Sequence, residues 1–417
     1  MVGLFVVSWL TRLAYLFVFR PSFDGVYWNL SSRLIDNSDS GPDNISVITD
    51  FEPLYPIVLA ALRLLVGDDT FRVQMGQAAV ASAGAVYLYL LGLTLAGRKR
   101  IAVIAAVLYA LHPLLIRQAA AASDLALVTV LILGFSFHFA NAAHASQMAI
   151  AGIALGLAAI TRTMTLPLTI LAAAVLIAQR RLRAVVVLTT TVLIFVLPLV
   201  ARNWRINGSL MPTRSGLALY VGNSPFSSAV LPDYDVDILE EYAQRDIQAH
   251  LSHVTDTLPE YSRAANEFLT RRAIDYMRER PFATVRQKVL NIGYFFSPRL
   301  VPLYVAGPDT RAIHRDGHVV IERPYERPAI EWISYSFFYM PVVTAAIWGV
   351  FLSKQFLPRA AILWCVVITF VAIHTLYFPA TRYRTPMEFV LLLYAAVAID
   401  HVTRRTTQPY CRDMSAT

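Results

Sequence analysis

The chain has 417 residues, 56% hydrophobic and 15% charged, with a formal charge of +8 and a mean hydropathy of +0.52. That much apolar material exceeds what one soluble core needs, so the chain reads as a polytopic membrane protein. The basic residues cluster beside apolar runs, as topology and anionic lipid require, which sets nucleic acid aside, and Cys365 and Cys411 suit neither a disulfide nor a metal cluster.

The opening run, VGLFVVSWLTRLAYLFVF, is too long for the apolar core of a signal peptide. It also lacks a basic leader and a small-residue cleavage site, so it is expected to remain as a spanning helix. A bilayer core of about 30 Å takes roughly 20 apolar residues per helix, fewer where neighbours shield it. On that scale about ten crossings are expected (range roughly 9 to 12), giving an all-α fold. They fall near residues 2 to 19, 73 to 96, 101 to 116, 124 to 143, 147 to 161, 165 to 179, 184 to 201, 331 to 353, 360 to 378 and 385 to 402.

Basic residues then set the orientation. Arg98, Lys99 and Arg100, then Arg180, Arg181 and Arg183, then Lys354 and Arg359, and finally Arg404 and Arg405 all fall on one side if both termini are cytoplasmic. An even number of crossings satisfies that condition. Two polar segments are left outside, residues 20 to 72 and 202 to 330. The chain therefore divides into a membrane module 1–201 carrying the first outer loop, an outer segment 202–330, and C-terminal helices with a cytoplasmic tail, 331–417. Within the first loop, PLYPIVLAALRLLVG is amphipathic and reads as an interfacial helix. The outer segment is mainly helical in spacing, and Pro281 separates two of its helices.

Chemistry gathers on that outer side. Arg117, Arg162, Arg382 and Arg384 stand in short outer loops, where positive charge is normally sparse, so an anion is expected among them. A guanidinium offers planar paired donors to phosphate oxygens. Asp24, in RPSFDGVYWNL, lies just past the first run, and Asp124 opens the fourth. An acid at the edge of hydrocarbon is by default a functional hypothesis. Asp124 also suits a helix N-cap beside Ser123, and Glu52 suits a solvated loop charge as well as a site carboxylate. Acids facing phosphate-binding arginines suggest transfer of a group from a lipid phosphate, with one carboxylate as the base for an attacking hydroxyl.

The stretches PLYPIVLAALRLLVGDD, GRKRIAVIAAVLYALHPLLIRQAAAASD, GIALGLAAITRTMTLPL, PLVARNWRINGSLMPTRSGLALYVGNSP and HTLYFPATRYRTPMEFVLLLYAAVAI resemble the GT-C superfamily of membrane glycosyltransferases. More narrowly they are similar to its bacterial branch related to protein O-mannosyltransferases and the lipid A aminoarabinose transferase. The resemblance implies a GT-C-type fold and a polyprenyl phosphate sugar as donor. It also implies a hydroxyl-bearing acceptor, inversion of the anomer, and a site on the extracytoplasmic face of the inner membrane. It makes Asp24 the catalytic aspartate with Tyr27 beside it, although Gly25 stands where a second acid is common. It puts a further acid on Asp124 and donor arginines on Arg162, Arg202, Arg382 and Arg384. Tyr27, Glu52, Tyr55 and Asn223 are the expected substrate contacts, though Asn223 also suits a turn and Tyr27, Tyr55, Trp28 and Trp204 suit interfacial anchoring. Some GT-C enzymes use a metal, but no His, Cys and Asp set here has ligand spacing, and no cofactor is expected to be required. The rival readings are a secondary transporter, which would carry ionisable groups in mid-helix, and a non-catalytic subunit that binds polyprenyl phosphate.

Overall fold

The computed structural model describes residues 1–23, 25–36, 51–210, 212–234, 236–251, 262–305, 311–315, 318–322, 325–326, 328–353 and 360–407. Each of the ten apolar runs falls on helix. In chain order the helices are α1 (Val2–Phe19), α2 (Val26–Asp36), α3 (Leu54–Val66), α4 (Thr70–Ala96), α5 (Lys99–Leu111), α6 (Pro113–Ala120), α7 (Leu125–Ala140), α8 (Ala145–Thr161), α9 (Leu166–Ala178) and α10 (Leu182–Asn207). The outer segment adds α11 (Ser215–Gly222), α12 (Ser227–Val230), α13 (Val236–Leu251), α14 (Arg263–Glu279) and α15 (Pro281–Phe295). It also forms two antiparallel pairs, β1 (Tyr304–Val305) with β4 (Tyr325–Glu326) and β2 (Arg311–Arg315) with β3 (His318–Glu322). The chain closes with α16 (Ala329–Leu352), α17 (Ala361–Leu376), a 3-10 turn Thr381–Met387 and α18 (Glu388–Thr407).

By length and composition, α1, α4, α10, α16 and the last helix with its preceding turn can each cross a bilayer. The run expected as a single third crossing is two helices, α5 and α6, bent by 53°. The cause lies at His112–Pro113: a proline offers no amide hydrogen to continue the ladder, and His112 takes an extended backbone. The helices α7, α8, α9 and α17 are shorter. Burial explains how a short helix serves. On α7, buried side chains from Leu125 to Phe139 point in every direction, the pattern of a helix enclosed by others. On α1, by contrast, Ser8, Arg12 and Leu16 alone are buried, one stripe at i, i+4 and i+8.

Arg12 is a charged side chain buried in the middle of α1. Its Nη1 donates to the Ser8 carbonyl at 2.8 Å and the Ser8 hydroxyl at 2.6 Å, and its guanidinium stands 5.3 Å from the Tyr109 ring centre.

The described helix ends fall into two groups. At one end Arg98, Arg100 and Arg404 lie 3.4, 3.6 and 3.1 Å from Asp400, and Asn141 donates to Thr94 at 3.0 Å. At the other end Arg117 pairs with Glu331 at 2.9 Å and Arg162 with Asp124 at 3.0 Å. The outer segment sits on this second end by close backbone contact. At Gly222 a β-carbon would lie 1.8 Å from the Tyr377 carbonyl, so only glycine allows α11 to meet the end of α17.

Candidate active site

At that second end the loops open on a cavity of about 750 Å³. Its walls come from the start of α7 (Asp124, Leu125), the turn after α8 (Arg162, Thr163), the start of α9 (Leu166, Pro167), the end of α17 (Ile373, His374) and the 3-10 turn (Thr381, Arg382, Tyr383). The first loop adds Tyr27, Phe51 and Glu52, and the outer segment adds Arg214 and Glu240.

Arg162 is the centre of this wall. Its Nη1 donates to both carboxylate oxygens of Asp124, at 3.1 and 3.0 Å, and its guanidinium stands 4.8 Å from the centre of the Tyr383 ring. Burial pulls its pKa down while Asp124, then Tyr383, Tyr27 and Glu52, pull it up; the net shift is upward, so the charge is held. Asp124 occupies the N-cap position of α7 but makes no capping bond there. The Leu125 amide is met by the Ser123 hydroxyl at 3.3 Å instead, which frees the carboxylate for the arginine. Tyr383 in turn stacks on His374, with ring centres 4.8 Å apart and planes 9° apart. Arg382 stands 5.2 Å from the centre of the same Tyr383 ring. Two guanidinium groups are thus gathered about one aromatic ring whose other contact is a buried histidine.

The first loop reaches the cavity on a platform. Arg63 of α3 stands 4.1 Å from the Trp28 ring centre and donates to Ser31 at 2.7 Å and Ser32 at 2.8 Å, binding α3 to α2. Tyr27 is carried at the start of α2, packed edge-on against Tyr55 and Phe51 at 4.8 and 5.8 Å. Burial pushes its phenol well above the usual range, and Asp124 adds to that, so Tyr27 presents a neutral hydroxyl. Glu52 accepts from the Thr163 amide at 2.8 Å and the Thr163 hydroxyl at 2.7 Å, which clips the loop beside Arg162. Arg214 pairs with Glu240 at 2.5 Å and stands 5.1 Å from the Phe51 ring centre.

The other expected residues fall elsewhere. Arg384, expected at a phosphate, is fully buried away from the cavity. It pairs with Glu388, donates to the Phe295 carbonyl at 2.6 Å and to the Tyr335 hydroxyl, and stands 3.9 Å from the Tyr339 ring centre. In a 3-10 turn of about three residues per turn, positions two apart point about 120° from each other, so Arg382 and Arg384 face different spaces. Arg202 lies on α10 and is not part of the cavity wall. Tyr55 lies beneath Tyr27 and gives its hydroxyl to Gln77 at 2.5 Å, so it supports the wall without forming it. Asn223 donates to the Leu219 and Leu376 carbonyls, both at 2.9 Å, and ties α11 to the end of α17; a separate cleft of about 70 Å³, lined in part by Lys288, lies beside it. Asp24 lies outside the described residues. Its neighbour Gly25 has φ of +136° with open space around it, a conformation that favours glycine and would strain an acidic side chain there. Sequence reasoning missed Arg214, Glu240 and His374; their signal is distributed, since Arg214 and Glu240 stand 26 residues apart. Among the described residues no three His, Cys, Asp or Glu side chains come together to hold a metal.

Neither a protein-family model nor a curated protein sequence matches the chain. Solved structures do. The oligosaccharyltransferase of Archaeoglobus fulgidus in its apo form matches over 100% of this chain and 52% of its own, at 15% identity and a TM-score of 0.54. ArnT from Cupriavidus metallidurans, bound to undecaprenyl phosphate, matches over 95% of this chain and 77% of its own, at 13% identity and a TM-score of 0.42. The chain therefore spans about half the length of the archaeal protein. Its likeness to that protein shows a GT-C-type fold, as the sequence expects.

Proposed function

We propose that the chain is a membrane glycosyltransferase that moves a sugar from a polyprenyl phosphate carrier to a hydroxyl acceptor in this cavity, on the extracytoplasmic side. One observation carries the reading: Arg162 and Arg382 meet about Tyr383 on the wall of a cavity built from helix ends at a single end of the bundle. A lipid-linked phosphate sits at headgroup level while its tail stays in hydrocarbon, so its receptor belongs at helix ends.

The chemistry follows from charge. The acceptor oxygen attacks the anomeric carbon and gives its proton to a carboxylate, while the bond from that carbon to the phosphate oxygen breaks and the electron pair leaves with the phosphate. Attack opposite the leaving group inverts the anomer. Negative charge on the phosphate grows along this path, so the guanidinium groups bind the transition state better than the ground state. Tyr27, neutral, donates a hydrogen bond to the same anion. Asp124 and Glu52 are poor bases here, since Asp124 has both oxygens on Arg162 and Glu52 is engaged by Thr163. The base is assigned to Asp24, three residues before Tyr27. Asp124 orients Arg162.

The test is native mass spectrometry of the purified protein with undecaprenyl phosphate and with undecaprenol. Binding is expected to need the phosphate and to weaken about 10- to 150-fold in Arg162→Ala or Arg382→Ala, the worth of one charge-assisted contact. Asp24→Asn is expected to keep that binding and abolish transfer, read by mass spectrometry of envelope glycans and lipids from cells with and without the protein. Equal binding of the alcohol and the phosphate overturns the reading. Phosphate-dependent binding with no glycan or lipid changed in those cells points to the non-catalytic subunit instead.

A further inference from the structure

Helix α15 is built inside out. The face it turns to the protein carries Lys288, Asn291 and Phe295, while Phe282, Val285, Val289 and Ile292, at i, i+3, i+7 and i+10, form one stripe on the opposite side. Those four side chains are 90%, 62%, 64% and 43% exposed. A helix on a water-facing surface puts its apolar stripe inward, and this one does the reverse. Three inward polar side chains tie the helix down. Lys288 Nζ donates to the Gly222 and Leu376 carbonyls, each at 2.9 Å, Asn291 donates to the Thr375 carbonyl at 3.0 Å, and Gln287 donates to Asn291 at 2.9 Å. The inversion is therefore held by specific bonds.

We infer that α15 seats its apolar stripe in the outer leaflet of the bilayer, so that this helix of the outer segment is a lipid-contact element beside the cavity. Continuity identifies the occupant. The helix packs along α17, an apolar helix expected to cross the bilayer whose own Ile368 and Leu376 are exposed, so the stripe adjoins an element that itself offers apolar side chains to lipid. Arg278 and Arg280 just before the helix and Arg286 on the edge of the stripe supply the positive charge that an anionic headgroup layer attracts. The bonds from Lys288 and Asn291 end on residues 222, 375 and 376, next to Val221, His374 and Tyr377 of the cavity wall. Contact with lipid at α15 thus fixes the depth of the cavity relative to the headgroups.

The experiment is site-directed spin labelling of the full chain in vesicles of phosphatidylethanolamine and phosphatidylglycerol. Single cysteines replace Phe282, Val285, Val289 and Ile292 in a background carrying Cys365→Ala and Cys411→Ala. Glu267→Cys, on the exposed side of α14, serves as the water reference. Collision with oxygen, which concentrates in lipid, is expected to exceed collision with a water-soluble nickel chelate at all four stripe positions, and the ratio is expected to reverse at Glu267→Cys. Nickel dominating along the stripe overturns the inference in favour of a water-facing surface. Low collision with both reagents overturns it in favour of a protein partner, a second copy included. The readout does not depend on glycosyl transfer, so it stands or falls apart from the proposed activity.

Discussion

Asp124 and Asp400 lie at opposite ends of the bundle, and both are buried carboxylates that face arginine. Their surroundings differ. Three guanidinium groups converge on Asp400, each about half exposed, so that they reach water whether or not the acid is there. Asp124 is paired with Arg162, itself largely buried, whose remaining surface faces a cavity and an aromatic ring. The same ion-pair chemistry therefore does two jobs. Where the cation can be hydrated the pair fastens helix ends, and where it is shielded in a low-dielectric wall the proposed function leaves the cation for an incoming anion.

A third pair, Arg384 with Glu388 in the core, should give the largest effect and calibrates the other two. Both members are fully buried, and Glu388 also lies 3.6 Å from His112 at the break between α5 and α6. Arg384→Met leaves a carboxylate in the core without its cation, at a cost of about 3 to 5 kcal/mol. Thermal unfolding in detergent checks this. Adding Glu388→Leu to that variant should restore most of the lost stability, because an apolar pair of similar volume replaces a buried ion pair with little penalty.

That residue also marks the limit of what the sequence reveals. The ten apolar runs were legible because hydrocarbon imposes length and composition on a crossing. Arg382 and Arg384 look equivalent in RYRTP, and the difference between them arises only when the 3-10 turn aims one at the cavity and the other at Glu388. The acid four residues on was a readable hint of an internal pair. The bend at His112 was announced by Pro113 but hidden within an apolar run of ordinary length. Arg214, Glu240 and His374 carried no local signal, since their neighbours are assembled by packing of the outer segment on α17.

At the cavity, Arg162→Ala should weaken binding of undecaprenyl phosphate about 10- to 150-fold. Asp124→Asn removes the carboxylate that orients the same guanidinium and should lower binding in the same direction by less, since the cation remains. If the two variants bind as the parent does, the contrast between the two ends is without functional meaning. A smaller effect is expected for Tyr383→Leu. The ring's attraction for a guanidinium amounts to about 0.5 to 2 kcal/mol, so donor binding should fall by a few-fold to about thirty-fold, with the rate at saturating donor little changed. A loss confined to that rate would place Tyr383 at the reacting atoms instead.

The smallest effect belongs to Asp400→Asn. Removing this acid leaves Arg98, Arg100 and Arg404 near one another, but each already reaches solvent and can turn outward, and salt screens what repulsion remains. The cost should be about 1 kcal/mol of stability, typical of pairs with one partner in water, and donor binding should not move. Raising the salt should narrow the stability gap between variant and parent, whereas the penalty of Arg384→Met, set in a shielded core, should stay nearly constant. A loss of donor binding in Asp400→Asn would mean that the two ends are coupled through the helices between them, and the division of labour drawn from their surroundings would have to be given up.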